Sequence, residues 1–352
     1  MLIEQKADED AAFRVGGFLM IDRRRGLAAA LALPLAFAAA FTFAGPASAQ
    51  TKLKWAHVYE PSEPFHTASV WAAGEIAKRT NGRYQIDVYP SSQLGKESDI
   101  NQGLTLGTVD MIISGSSFAG KAYPPIGVTY YPYTFRDANH LLAYAKSDVF
   151  KDLAKGYEDK TGNHIAAVTY YGVRQSTSNK PFKSCAEMKG LKIRVPDAPA
   201  YLAMPKACGA NITPIAFAEV YLALQNGTVD AQENPLTTIE AKKFYEVQKN
   251  IVLTGHIVDH LNTIISGSLW KKLSPEDQKI FTEVTQEAAA KATAEVAQRE
   301  KELLDIFKQK GLTVVEVDTE DFRNTVMKNI TFESFGYRKA DWDRIQAIKS
   351  NM

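Results

Sequence analysis

The sequence predicts an α/β protein built as two similar lobes, and three observations carry that prediction. From residue 51 onward, β-rich runs alternate with helical runs, the grammar of parallel strands covered by helices. The stretch "LTLGTVDMIISG" (Leu104 to Gly115) is echoed by "ALQNGTVDAQEN" (Ala223 to Asn234). In both, a helix ends at a glycine suited to the position just past a helix, and T-V-D leads into a strand. Finally, one helical segment near the C-terminus is longer than a single lobe.

The elements follow in order. "TKLKWAHVY" reads as a strand, followed by a helix from about Pro64 to Thr80. Strand "YQIDVYP", a helix from about Ser98 to Leu106 and strand "VDMIISG" come next. The pattern restarts with "HIAAVTYYG" and "LKIRVP", then helices near Ala200 to Lys206 and Phe217 to Gln225. The long segment starts at Ser274 as N-cap, with Pro275 in the first turn and Asp277 completing a capping box. It stops at Gly311. About 36 residues at ~1.5 Å each exceed ~50 Å, so this helix should run across both lobes. A coiled-coil arm is the alternative, but its Ala-rich middle lacks sustained leucines at heptad spacing. A monomer is expected.

The first 49 residues belong to export rather than to the fold. "DRRRGLAAALALPLAFAAAFTFAGPASAQ" has a basic start at Arg23 to Arg25, an apolar run and the small-residue site Ala47-Ser48-Ala49. A signal peptide cleaved after Ala49 is expected, with Met20 as the alternative start and the periplasm as destination. The segment carries five basic and five acidic residues, so its removal leaves the net charge at +1. That balance points to neither nucleic acid nor an anionic membrane as partner. Cys185 and Cys208 are the only cysteines, and two readings stay open: a bridge formed in an oxidising compartment, or two buried thiols.

Enzyme signatures are absent: there is no G-x-S-x-G, H-E-x-x-H, Walker loop or G-x-G-x-x-G. An exported enzyme using Glu97 or His57 as base is the remote alternative. "SGSSFAG" (Ser114 to Gly120) fits a ligand-facing loop or a plain turn. Two histidine groups are candidate metal sites. Pro61 and Pro64 break up His57, Glu60, Glu63 and His66, whereas His256, Asp259 and His260 could share a helical turn. Neither a metal nor a cofactor is expected.

Two arginines ask for explanation. Arg194 sits in the middle of the buried strand "GLKIRVPDAP", and Arg174 falls just past a β-rich run in "TYYGVRQSTSNK". A guanidinium stays charged at any cellular pH, and burying it unpaired is costly. Each needs an anion: Asp197 or Glu233 from the protein, or something from outside.

"TYYGVRQSTSNKPF", "MKGLKIRVPDAP", "ANITPIAFAEVYLALQNGTVDAQENP", "KKFYEVQK" and "YPSSQLGKE" resemble the DctP-like substrate-binding proteins of tripartite ATP-independent periplasmic (TRAP) transporters, near the sialic acid and sugar-acid branch. The resemblance covers essentially all the chain after residue 49. It implies a periplasmic binding protein whose two lobes close on a ligand held in the cleft between them. Delivery to the small and large membrane subunits would follow, or a signalling partner would take their place. It assigns the ligand carboxylate to Arg194 and Arg174, with Asn234 and Phe217 also facing the ligand. Lobe I is expected at 50–171 plus 260–298, and lobe II at 172–259 plus 299–352. In sialate binders the first-strand loop carries an asparagine, and a glutamate follows the "VD" strand. Here those places read "AHVYEP" and "ISGSSF", with Gly115 near the glutamate's position. A sugar acid, uronate or aldonate, is therefore the first expectation, with a C4-dicarboxylate or sialic acid as alternatives. Glu97, His57, Tyr59, Glu60 and Ser116 are the candidates to meet its hydroxyls.

Overall fold

The computed structural model describes residues 50–350; the expected signal segment 1–49, with its alternative start at Met20, lies outside the described residues. Among the described residues there are nine strands: β1 (Thr51–Ala56), β2 (Tyr84–Tyr89), β3 (Met111–Gly115), β4 (His164–Ser178), β5 (Lys192–Val195), β6 (Asn211–Pro214), β7 (Ala231–Pro235), β8 (Asn250–Ile265) and β9 (Thr313–Val315). They form one sheet in the order β2-β1-β3-β8-β4-β7-β5-β6, with β9 paired to β8.

That order reads alike from both edges. β1 lies parallel between β2 and β3, and β5 lies parallel between β6 and β7. The T-V-D echo has the same cause in both halves. Gly107 and Gly227 take positive φ (75° and 73°) and end their helices. Asp110 N–H then donates to Lys54 O (3.1 Å) and Asp230 N–H to Lys192 O (2.8 Å), steering each chain alongside the middle strand of its half.

The halves are joined by β4 and β8, antiparallel partners over most of their lengths. Their midpoint pair is Gly172 with Asp259, flanked by register shifts. Glycine is required at 172 twice over. Its φ is +119°, and a Cβ there would lie 2.8 Å from Glu300 Oε1 and 2.9 Å from Pro235 Cβ. Glu300 fills that space from the long helix, accepting from Val173 N–H (2.8 Å) and Tyr170 O–H (2.7 Å).

The long helix, Pro275–Gln309, does bridge the halves. Phe281 and Val284 join one buried apolar cluster with β1, β3 and the first half of β4. Leu303 and Phe307 join a second with Val220, Leu224 and Phe244. Ser274 caps it, accepting from Asp277 N–H (3.1 Å). The expected capping box is not completed, because the Asp277 carboxylate turns away to Arg83 and to Tyr84 O–H (3.2 Å).

Other expectations need correction. Arg174 lies inside β4, not past its end. His256, Asp259 and His260 lie on strand β8, so they share no helical turn. Ser114 to Gly120 is the end of β3 followed by a short helix, Ser116–Ala119, rather than a loop. Within the stretch 299–352 expected in lobe II, the tail turns back toward the other half. The final helix, Lys339–Gln346, packs on Pro124–Tyr130 and on the helix Asp148–Thr161 of the other half. There Arg344 pairs with Asp152 (2.6 Å), and His140 Nε2 donates to Ile345 O (2.9 Å). Cys185 and Cys208 form a disulfide with Cα atoms 4.8 Å apart. Among the described residues no helix is long and apolar enough to cross a membrane.

Candidate functional site

The topology decides where a ligand can sit. β3 ends where Gly115 pairs with Leu261, and β7 ends where Pro235 pairs with Arg174, both beside the Gly172–Asp259 midpoint. The carboxyl ends of the parallel strands in each half therefore face one another, the place where open α/β sheets hold ligands. A cavity of about 410 Å³ lies there. Its wall takes Tyr59 from the chain after β1, Glu97 after β2 and Phe118 after β3. Arg194 comes from β5, Phe217 from the chain after β6 and Asn234 from β7.

The two arginines differ in their partners. Arg174 donates to Glu233 and to its backbone carbonyl (2.8 Å), to Asp259 Oδ2 (2.7 Å) and to Asn234 Oδ1 (3.1 Å). Burial alone would raise the Glu233 carboxyl, but Arg174 and His256 outweigh it and hold it below its ordinary value. Asp259 is pushed up to about 6 by burial, against the pull of Arg174. Arg194 is 2% exposed and meets no carboxylate. Its Nε and Nη2 both donate to Ile215 O (3.0 and 2.8 Å), and Nη1 has no partner. Burial lowers its pKa to about 10. Of the two acids expected to serve the arginines, Glu233 goes to Arg174, while Asp197 pairs with Lys121 (3.1 Å).

Across the cavity, Glu97 Oε1 accepts from Ser114 Oγ (2.8 Å) and Gly115 N–H (3.1 Å). Burial nevertheless raises its carboxyl to about 7. Burial also holds the Tyr59 phenol well above its usual range, so it is a neutral hydroxyl. Asn234 is fixed between Arg174 and Gln232 Oε1 (2.6 Å). Together these groups offer a cation for a carboxylate and, facing it, acceptors and donors for hydroxyls.

Six of the expected residues thus line one cavity: Arg194, Arg174, Asn234, Phe217, Glu97 and Tyr59. Three do not. His57 is buried against His66 (3.2 Å between ring nitrogens), and burial lowers its pKa to about 3. Glu60 is engaged by Lys242 (2.7 Å) and Ser91 Oγ (3.0 Å). Ser116 lies behind the wall, hydrogen-bonded to His260 Nε2 (3.0 Å) and Asn262 Nδ2 (2.8 Å). The sequence reading missed Tyr171, Tyr201, Phe118 and Lys96. Phe118 was within reach, since it follows a strand's carboxyl end; nothing local marks Tyr201.

The family model described as bacterial extracellular solute-binding protein, family 7, matches residues 55–334. The chain belongs to that family. Among family 7 relatives, the sialic acid-binding periplasmic protein SiaP of Vibrio cholerae is 37% identical over 283 residues, covering 80% of this chain and 88% of that one. A TRAP periplasmic solute-binding protein of Roseobacter denitrificans, solved with bound L-galactonate, superposes with TM-score 0.78 at 31% identity over 84% of this chain and 98% of that one. Another from Polaromonas, bound to D-erythronate, gives TM-score 0.81 at 31% identity over 86% of this chain and all of that one. The two-lobed architecture with a ligand cleft between the lobes is common to these structures and this one.

Proposed function

We propose that this family 7 protein is a periplasmic receptor for a sugar-acid monocarboxylate, an aldonate or uronate, which it passes to TRAP membrane subunits without chemical change. Arg194 carries this reading: a buried guanidinium lines a cavity with a nitrogen that meets no acceptor. A planar carboxylate fits that fork in two parallel hydrogen bonds and supplies the missing countercharge. Arg174 is already matched by two carboxylates, so it contributes by holding Asn234 and shaping the wall. Glu97 and Tyr59 face the hydroxyl-bearing part of the ligand. These two groups offer hydroxyl partners rather than a second unmatched buried cation, which sets the sugar acid ahead of a C4-dicarboxylate. The named ligands of the Roseobacter and Polaromonas proteins support the same class.

Thermal-shift screening against organic acids, followed by calorimetry, tests it. Native protein should bind an aldonate or uronate, and Arg194→Lys should lose at least ~2–4 kcal/mol of binding free energy, since an ammonium cannot form the fork. Near-native affinity in Arg194→Lys would sink the assignment.

A further inference from the structure

Gly115 ends β3 at the cavity wall, and its backbone is ordinary: φ is −73° and ψ 151°, open to any residue. Glycine is needed there for space. A Cβ would stand 2.7 Å from Tyr130 Oη and 3.2 Å from Tyr201 Oη. Tyr130 belongs to the same half as Gly115 and is pinned by its bond to His260 O. Tyr201 comes from the other half, seven residues after Arg194. Its ring packs edge-on against Tyr130 (5.5 Å between centroids), lies 6.3 Å from the Phe118 ring and sits under the Arg174 guanidinium (4.8 Å). Ala200 N–H donates to Ser117 Oγ (3.2 Å), fastening the same turn to the short helix after Gly115. The ring forms part of the cavity wall beside Gly115. Being wedged between two rings and a cation, it cannot rotate aside without breaking those contacts.

We propose that Tyr201, seated in the notch left by Gly115, limits the length of acid the cavity accepts, admitting six-carbon sugar acids and excluding nine-carbon ones. The inference rests on the sugar-acid reading above and adds to it a size limit and the residue that imposes it. Shortening the ring opens the notch, and adding a methyl at 115 crowds it. The two changes should therefore move selectivity in opposite directions.

Calorimetry with three acids reads this out: D-erythronate, L-galactonate and N-acetylneuraminate. Native protein should prefer galactonate over N-acetylneuraminate. Tyr201→Ala should narrow that preference at least about tenfold, while Tyr201→Phe, which keeps the ring, should leave it in place. Gly115→Ala should lose more affinity for galactonate than for erythronate, which keeps a test in hand if Tyr201→Ala fails to fold. Unchanged preferences in Tyr201→Ala, a Tyr201→Phe protein that behaves like Tyr201→Ala, or equal losses in Gly115→Ala each overturn the length limit alone. Native protein that binds no sugar acid overturns the receptor reading, and the size limit with it.

Discussion

Arg174 and Arg194 reach the same cavity from strands on either side of β7, and both are almost wholly buried. One is surrounded by protein carboxylates; the other has a single carbonyl and a bare nitrogen. Their charge, residue type and depth are the same, so the difference lies in what each costs the folded chain. Arg174 is compensated inside the protein and belongs to the fold. Arg194 is left uncompensated, a cost that the arrival of an anion would relieve. A buried charge is informative about function chiefly when its partner is missing.

The comparison breaks most visibly under substitution of the satisfied arginine. Arg174→Met strands Glu233 and Asp259 without their cation and should destabilise the ligand-free protein by about 3–5 kcal/mol. Arg194→Met should change that stability by under ~1 kcal/mol or raise it, because no buried anion is orphaned. Chemical denaturation of both variants decides this; equal losses would mean the two sites are alike after all.

Reduction of the disulfide sharpens the contrast next. The Cys185–Cys208 bridge, 23 residues apart in sequence, braces the chain around β5, the strand of Arg194, and leaves β4 untouched. By loop closure it should contribute about 3 kcal/mol. A Cys185→Ser/Cys208→Ser protein should melt earlier and bind its acid less tightly. Unchanged affinity would show that the Arg194 wall stands without the brace.

The smallest effect is one of pH. Glu97 is raised to about 7 in the fold, so between the unfolded carboxyl value of 4.5 and about 7 the folded state binds more protons than the unfolded chain. Its contribution to stability is therefore present at acid pH and lost as pH rises through 7. Glu233, held low by Arg174, acts in the opposite sense: its contribution is present at neutral pH and lost on acidification. Glu97→Gln should accordingly gain on native protein as pH is raised from 5 to 8, by on the order of 1–3 kcal/mol. Parallel melting curves for the two proteins across that range would rule out a buried, titrating Glu97.

Much of this was legible in the sequence, and the gaps have physical reasons. Alternating apolar residues, the repeated G-T-V-D and the Ser-Pro start of the long helix are local signals, and each gave an element in its place. Arg174 was expected just past its β-rich run, yet the strand continues through Ser178. Its polar residues Ser176 and Ser178 belong to a central strand and pair on both sides, with β7 and with β8. His57 and Glu60 were expected to bind hydroxyls from their residue type and their place in the first-strand loop; which way they face depends on His66 and Lys242, and Lys242 is distant in sequence. Asp277 had two eligible partners, and the local one lost to Arg83, almost two hundred residues earlier. Choice of partner is a long-range property, which is why residue types were readable and pairings were not.

The sheet order that reads alike from both edges carries a last consequence. Two halves of one plan, facing each other by their strand ends, would by themselves make a cavity with no head or tail. The residues at the strand ends break that equivalence: the middle strand of one half carries a cation, while the other half presents an acid and a phenol. A chiral acid lying between them can then be held in only one polarity. Whatever receives it on release meets the same end of the molecule each time.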